Sequence, residues 1–250
     1  MDQKPAPLQP VREDWERALA VVAHPDDMEF GTAAAVARWT AQGKQVVYCM
    51  VTSGEAGIDG MEPAECRRVR EAEQVASAQI VGVETVDFLH QPDGILEYGV
   101  ALRGEITRAV RRHRPEIVIT NNFRDTWDGQ SLNMADHIST GRATLDAVRD
   151  AGNRWVFPEQ VTDEDLAPWD GVQQVWAAGS PLATQGADVT DTFAAGVESL
   201  KAHDAYLSGL GWEFDAEDFL EGVCRGTGSR LGVTYGTGFE VFRMGFGSDD

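Results

Sequence analysis

The sequence predicts an α/β fold built on a doubly wound, mostly parallel sheet within one domain spanning residues 1–250. Three observations carry this expectation. Short continuous apolar runs of buried-strand length alternate with stretches whose apolar positions recur at helical spacing. No segment repeats with a period of 20–50 residues, which sets solenoids and propellers aside. The composition, 250 residues with 42% hydrophobic and 25% charged, is ample for one large core and far from that of a disordered chain.

Each element follows in order. Residues 1–15, rich in Pro and Gln, read as a flexible N-terminal segment. Residues 18–23 are an unbroken apolar run and read as the first strand. Phe30, Ala33, Ala34, Ala37 and Ala41 then form a helical stripe starting near Met28, with Gly43 at the C′ position. The apolar run 46–51 closes a strand–helix–strand unit, which requires a parallel pair and a right-handed crossover. Pro63 opens a helix with the stripe Cys66, Val69, Ala72, Ala76 and Ile80, and residues 83–89 form the next strand. Leu102, Ile106, Ala109 and Val110 mark a helix, 117–120 a strand, and Ile138, Leu145 and Val148 another helical face that ends at the turn 151–153. Beyond it come a strand at 172–178, a helix at 191–206, a helix at 215–223 with Asp215 as N-cap, and a terminal strand at 239–244. Residues 158–170 and 226–238 read as loops.

Charge narrows the partners. With 21 Lys and Arg against 41 Asp and Glu, the net charge of −20 repels polyanions, so nucleic acid and anionic membrane surfaces are not expected to bind. No apolar stretch approaches the ~18 residues of a membrane helix, and no basic segment followed by an apolar one marks a secretory signal. The three cysteines, Cys49, Cys66 and Cys224, contain no C-x-x-C pair and fit reduced thiols in a cytoplasmic protein. A homo-oligomeric state stays open.

In a doubly wound sheet, ligands collect beyond the carboxyl ends of the strands. The five segments at those places are His24-Pro-Asp-Asp27, Thr52-Ser-Gly-Glu55, His90-Gln-Pro-Asp-Gly94, Asn121-Asn-Phe-Arg124 and Gly179-Ser-Pro181, all markedly polar. The first crowds one imidazole and two carboxylates onto a turn that Pro25 restricts. His24 and Asp27 can face a common point and ligate a metal, leaving Asp26 to act on whatever the metal binds. The competing reading has Asp26 or Asp27 simply capping the helix that follows. His137, at the start of the helix after the fourth strand, is the best third ligand, and Asp136 beside it either joins the site or caps the helix. His90 either lines the pocket or is a structural loop residue. His113 belongs to the surface, and His203 is structural or peripheral.

These residues carry a resemblance. Ala23-His-Pro-Asp-Asp27 followed by Met28-Glu-Phe-Gly31 is similar to the opening motif of the LmbE-like, or PIG-L, zinc-dependent N-acetylglucosaminyl deacetylases. Thr52-Ser-Gly-Glu55, Arg70-Glu-Ala-Glu73, Pro92-Asp-Gly94 and Asp136-His137 occur in the family's order with similar spacings, so the likeness covers most of the chain. The resemblance implies a Rossmann-like three-layer fold without a dinucleotide. It also implies one Zn²⁺ per chain held by His24, Asp27 and His137, with Asp26 as the general base. Arg70 and Asp93 match positions that line or organise the family's substrate site. The implied reaction is hydrolytic removal of an N-acetyl or related N-acyl group from an amino-sugar-containing small molecule or natural-product glycoside. His90 and Arg124 are added as substrate-side candidates, Arg124 for an anionic part of the substrate.

One departure stands out. Where the family commonly has His-Pro-Asp-His, this chain has Met134 at the first His, and a thioether cannot donate a hydrogen bond to an oxyanion. Three consequences are open: His90 or Asn133 takes over, the metal alone polarises the carbonyl, or catalysis is impaired and the protein is a metal-binding accessory. Two histidines and a carboxylate also suit non-haem Fe(II), which keeps an oxygenase as a rival. A dinucleotide-binding oxidoreductase fits less well, because the first strand leads into His-Pro-Asp-Asp and not a glycine-rich turn. The loops 54–62, 123–132 and 155–169, with their tryptophans, are expected to shape the pocket.

Overall fold

A computed structural model of the chain describes residues 6–245. The elements run β1 (Gln9–Pro10), β2 (Arg17–Val22), α1 (Ala33–Ala41), β3 (Gln45–Met50), α2 (Pro63–Ile80), β4 (Thr85–Phe88), α3 (Val100–His113) and β5 (Ile117–Asn121), then α4 (Ala135–Ala151), α5 (Pro158–Thr162), β6 (Gln174–Ala178), β7 (Gln185–Asp188), α6 (Phe193–Lys201), α7 (Asp204–Gly209), α8 (Ala216–Leu231) and β8 (Gly236–Arg243). Their strands form one eight-stranded sheet in the order β1-β7-β8-β6-β5-β2-β3-β4. All neighbours are parallel except β8, which runs antiparallel to both β6 and β7. The sheet is therefore the mostly parallel α/β sheet that the alternation predicts.

Two apolar clusters, one on each face of the sheet, make the three layers. One joins β2, β3 and β5 side chains such as Ala20, Tyr48 and Ile119 to α1, α6 and α8. The other joins Leu19, Val47 and Val118 to α3 and α4. The alternation within a single strand, Leu19 to one face and Ala20 to the other, is the period-2 rule of a strand buried on both sides. Trp39, Trp176 and Phe239 pack with ring centroids 5.5–6.0 Å apart at the centre of the first cluster.

Topology positions the site. The chain proceeds β2, β3, β4 outward in one direction and then returns to place β5 on the other side of β2. This reversal opens a crevice at the carboxyl ends of β2 and β5, the usual ligand position of a doubly wound sheet. His24 leaves the end of β2, and His137 lies in the first turn of the helix that follows β5.

Several boundaries differ from the sequence reading. The helix expected near Met28 begins at Ala33, because Asp26 adopts φ +78°, outside any helix, and residues 26–32 form successive tight turns. Residues 191–206 are two helices, α6 and α7, separated at Ala202-His203. The helix capped by Asp215 is as expected at its start, where the carboxylate accepts the Glu217 and Asp218 amides, but it runs on to Leu231 through glycines read as a loop. Gly228 is buried there because its Cα faces the backbone of Thr234 too closely for a side chain. Residues 158–162 are a short helix, and 236–238 belong to β8.

The expectation of a flexible segment over residues 1–15 is corrected for its described part. Residues 9–10 form β1 against β7, and Leu8, Val11 and Trp15 are buried. Apolar burial outweighs the Pro content that suggested freedom. Residues 1–5 lie outside the described residues.

Candidate active site

Beyond the end of β2 the backbone turns through Pro25 and Asp26. The left-handed conformation at Asp26 is one that Asp tolerates better than most residues, and side chains from α2 hold it. Its amide donates to Gln74 Oε1 at 2.8 Å, and its carboxylate forms a buried ion pair with Arg70. Arg70 also donates to the Pro25 carbonyl at 2.6 Å and lies 4.0 Å over the Tyr206 ring. Gly57 makes room for this guanidinium: a Cβ there would fall 2.2 Å from Arg70 Nη1.

Asp27 does not cap a helix. One carboxylate oxygen accepts the His24 amide at 2.8 Å, which closes the turn, and the other lies 2.9 Å from His137 Nε2. His24 Nδ1 is 3.7 Å from the same carboxylate. Ligand atoms of His24, Asp27 and His137 all fall within 4.8 Å of one another, so donors from two distant parts of the chain converge on one point.

Neighbouring groups fix both imidazoles. His137 Nδ1 sits 3.0 Å from Asn133 Oδ1, whose amide nitrogen donates to the Asn122 and Arg124 carbonyls. An Nδ1–H donating to Asn133 leaves the Nε2 lone pair directed at Asp27. His24 Nε2 lies 3.2 Å from Asp93 and 3.4 Å from Asp136, which frees Nδ1 on the Asp27 side. Histidines that ligate metals are typically oriented by such carboxylate and amide partners. His24, Asp93 and Asp136 form a second close group, but Asp136 already accepts the Gly94 and Leu96 amides and ties that loop in place.

The electrostatics favour a cation. Four buried or half-buried carboxylates, Asp26, Asp27, Asp93 and Asp136, surround two imidazoles and the Arg70 guanidinium. Burial alone would raise Asp27, yet His137 and His24 outweigh it and hold the carboxyl well below its usual range. Burial would lower His24, but hydrogen bonds to Asp136, Asp27 and Asp93 hold it well above the usual imidazole value. His24 thus holds a proton more tightly than an ordinary imidazole, one that a divalent cation bound at the ring would displace. At Asp26, burial dominates and the nearby Asp27 charge adds to it, so the carboxyl is pushed up to about 7 despite Arg70. An N/O donor set with one carboxylate and two imidazoles fits a metal of the zinc class.

The family profile described as PIG-L, GlcNAc-PI de-N-acetylase, matches residues 19–148, just over half of the sequence and the part that supplies all three donors. The chain belongs to the PIG-L family. Among its relatives, diacetylchitobiose deacetylase from Thermococcus kodakarensis is 27% identical over 232 residues, 90% of this chain and 82% of that protein. A 1D-myo-inositol 2-acetamido-2-deoxy-alpha-D-glucopyranoside deacetylase from Kineococcus radiotolerans is 29% identical over 165 residues, 53% of this chain and 44% of that one. The crystal structure of N,N'-diacetylchitobiose deacetylase from Pyrococcus horikoshii, 22% identical, superposes with a TM-score of 0.83 over 92% of this chain and 85% of its own, which establishes the shared fold.

Within this PIG-L site, Arg70 and Asp93 line the cavity with His24, Asp26, Asp27 and His137. Two other expected residues do not. His90 is exposed, bonded to Ser53 and Glu71, and turned away from the cavity. Arg124 is paired with Glu240, which also accepts the Ser180 hydroxyl. The loop 155–169 is likewise remote: Trp169 donates to the Pro115 carbonyl at the opposite end of the sheet. Ala56, Gly57 and Trp127, from the other two expected loops, do border the cavity. His113 is half-buried on Asp87 at 2.6 Å and is not a bare surface residue. His203 is fully buried, with Nε2 3.6 Å from a Glu29 carboxylate oxygen, and so is not peripheral to the fold.

Sequence reading missed Gln74 and Tyr206. Gln74 lies one helical turn after Arg70 and shares its face, a spacing that signals a shared target. Nothing local marks Tyr206.

Proposed function

We propose that this protein is a zinc-dependent hydrolase that removes an N-acetyl group from an amino-sugar-containing small molecule, with one Zn²⁺ per chain held by His24, Asp27 and His137. The observation that carries the reading is the convergence of these three donors beside a buried, ionisable Asp26. The PIG-L membership and the deacetylase relatives support it. The buried, unlinked state of all three cysteines supports a reducing, cytoplasmic setting.

A zinc ion there would supply Lewis acidity toward the amide carbonyl and lower the pKa of a water molecule toward ~7. Asp26 takes the proton of the attacking water at its carboxylate and returns it to the departing amine nitrogen, so that water and amide become acetate and free amine. A base titrating near 7 is matched to this two-way transfer, because it can both accept and release the proton at neutral pH. Arg70 and Gln74 hold Asp26 in its left-handed turn. Asn133 keeps His137 in the tautomer that presents Nε2.

Met134 points toward the cavity, and neither substitute for the missing histidine is available. His90 faces elsewhere, and both ends of the Asn133 amide are occupied. A zinc ion held by His24, Asp27 and His137 would then supply the polarisation of the carbonyl. The test is Asp26→Asn: acetate release from N-acetylated amino sugars should fall by on the order of 10³-fold with zinc content unchanged. Full activity in that variant would refute Asp26 as the base.

A further inference from the structure

The cavity that holds the candidate metal site has a volume of about 630 Å³, in the range of drug-sized ligand sites, and its two ends differ in chemistry. One end is the cluster of His24, Asp26, Asp27, Asp93 and His137. The other is a trough whose walls are apolar. Phe219, Val223 and Thr227 line one wall at i, i+4, i+8 on α8, while the adjacent stripe Ala216, Leu220, Cys224 and Gly228 is buried in the core. Helix α8 thus carries a second apolar stripe that is only partly covered: Phe219 packs against the rings of Phe30 and Phe214, yet Phe219 and Val223 remain 40% and 44% exposed. Met134 and Trp127 also line the cavity, 54% and 38% exposed, with the Trp127 ring 5.6 Å from that of His137.

The trough offers little to a polar or charged ligand. Its one guanidinium, Arg230, donates to the Ala6 and Ala183 carbonyls. Arg70, at the polar end, is spent on Asp26 and Pro25. The Ser180 and Thr237 hydroxyls donate to Glu240 and to the Gly31 carbonyl. An alkyl or aryl group gives up no hydrogen bonds on entering such a trough, whereas each sugar hydroxyl must find a partner among the few polar side chains left in the cavity, such as Asn121 and Tyr206.

We infer that the trough binds an uncharged apolar aglycone, so that the preferred substrate is an N-acetylated amino sugar carrying an alkyl or aryl group and not a second sugar. This rests on the deacetylase reading for the chemistry, and on the Phe219, Val223, Trp127 and Met134 walls for the specificity.

The experiment uses the zinc-loaded protein with N-acetylglucosamine, diacetylchitobiose and the methyl, butyl, hexyl and octyl glycosides of N-acetylglucosamine. Acetate release gives kcat/KM, and calorimetry gives Kd. The expected result is a rise of roughly threefold in kcat/KM per added methylene until the trough is filled, with the hexyl glycoside exceeding diacetylchitobiose. In Phe219→Ser and, as a smaller change, Val223→Ser, the rise per methylene should flatten. A kcat/KM independent of chain length, or diacetylchitobiose as the better substrate, would overturn the inference while leaving the hydrolase reading intact. Affinity that climbs with chain length, without acetate from any compound, would support the trough and remove the hydrolase. Absence of both turnover and chain-length-dependent binding would overturn the inference.

Discussion

The sheet has two halves of different character. Strands β5, β2, β3 and β4 are all parallel, and the segments beyond their carboxyl ends supply every candidate metal donor and the candidate base, with Arg70 and Gln74 of α2 holding Asp26. Strands β6, β8, β7 and β1 are mixed in direction and contribute no donor. They supply instead the aromatic core around Trp176 and Phe239, and the floor of the apolar trough. The difference teaches that crossover topology concentrates reactive side chains where the winding reverses, while the antiparallel edge is free to become a wall. In this reading one half performs the chemistry and the other sets stability and selects what may approach.

The sharpest way to break that division is to remove a donor. His137→Ala should reduce zinc, measured by metal analysis of the purified protein, to well below one per chain, a larger loss than the ~10–100-fold affinity change typical of an outer partner. Folding in the presence of chelator should be nearly unaffected, so parallel loss of stability would argue that the imidazole is structural. In the other half, Trp176→Ala removes a fully buried ring packed against Trp15, Trp39 and Phe239. It should cost about 3–5 kcal/mol in denaturant unfolding, with zinc stoichiometry per folded molecule retained. A Trp176→Ala protein that keeps its stability but loses metal would show that the halves are not separable in this way.

Smaller effects sharpen the picture. Asn133→Ala should weaken zinc binding about 10–100-fold, as loss of a tautomer-fixing partner does, measured by competition with a chelator. An unchanged affinity would mean that His137 is oriented by its helix alone. Met134→His should raise kcat about tenfold, short of the ~10²–10³ that an optimally placed oxyanion donor provides; no gain would indicate that metal polarisation is already sufficient. The smallest effect belongs to the Asp87–His113 pair at the sheet's far edge. The His113 hydrogen bond lowers the Asp87 pKa against the opposing effect of burial. Its contribution, about 0.5–1 kcal/mol for such a partly exposed pair, is therefore present above the unfolded carboxyl's pKa and lost as pH falls through the lower folded value. Asp87→Asn should flatten that part of the stability curve below pH 4 and leave activity untouched.

Legibility in the sequence followed the same division. In the parallel half, β2 and β3 are largely apolar runs and each helix carries one stripe, so local pattern and tertiary environment agree; only the edge strand β4, Thr-Val-Asp-Phe, departs from this. Pro63 opens α2 and Gly43 follows α1 at φ +85° as a helix-ending glycine should. The mixed half resisted. Strand β7 is Gln-Gly-Ala-Asp and β1 is Gln-Pro, segments whose extended form comes from pairing and not from propensity. The glycines of α8 obscured its second half; of these only Gly228 is demanded by a close approach, to the Thr234 backbone leading into β8, and nothing in the structure requires glycine at 222 or 226.

The sequence by itself determined the alternation of elements, the sheet's winding and the crowding of imidazole and carboxylates after β2, because these depend on residues within a few positions of one another. Tertiary structure alone decided that Asp27 closes a turn and does not cap a helix, that Arg124 pairs with Glu240 and His90 lies outside the cavity lining, that Gln74 holds Asp26, and that part of the α8 stripe faces the cavity. Those outcomes depend on which of several competing partners a side chain meets once the chain is packed, such as Asp27 with His137 and Arg124 with Glu240, each more than a hundred residues apart. Only the packed fold, with its backbone strain at Asp26 and its buried charges balanced pair by pair, sets that choice.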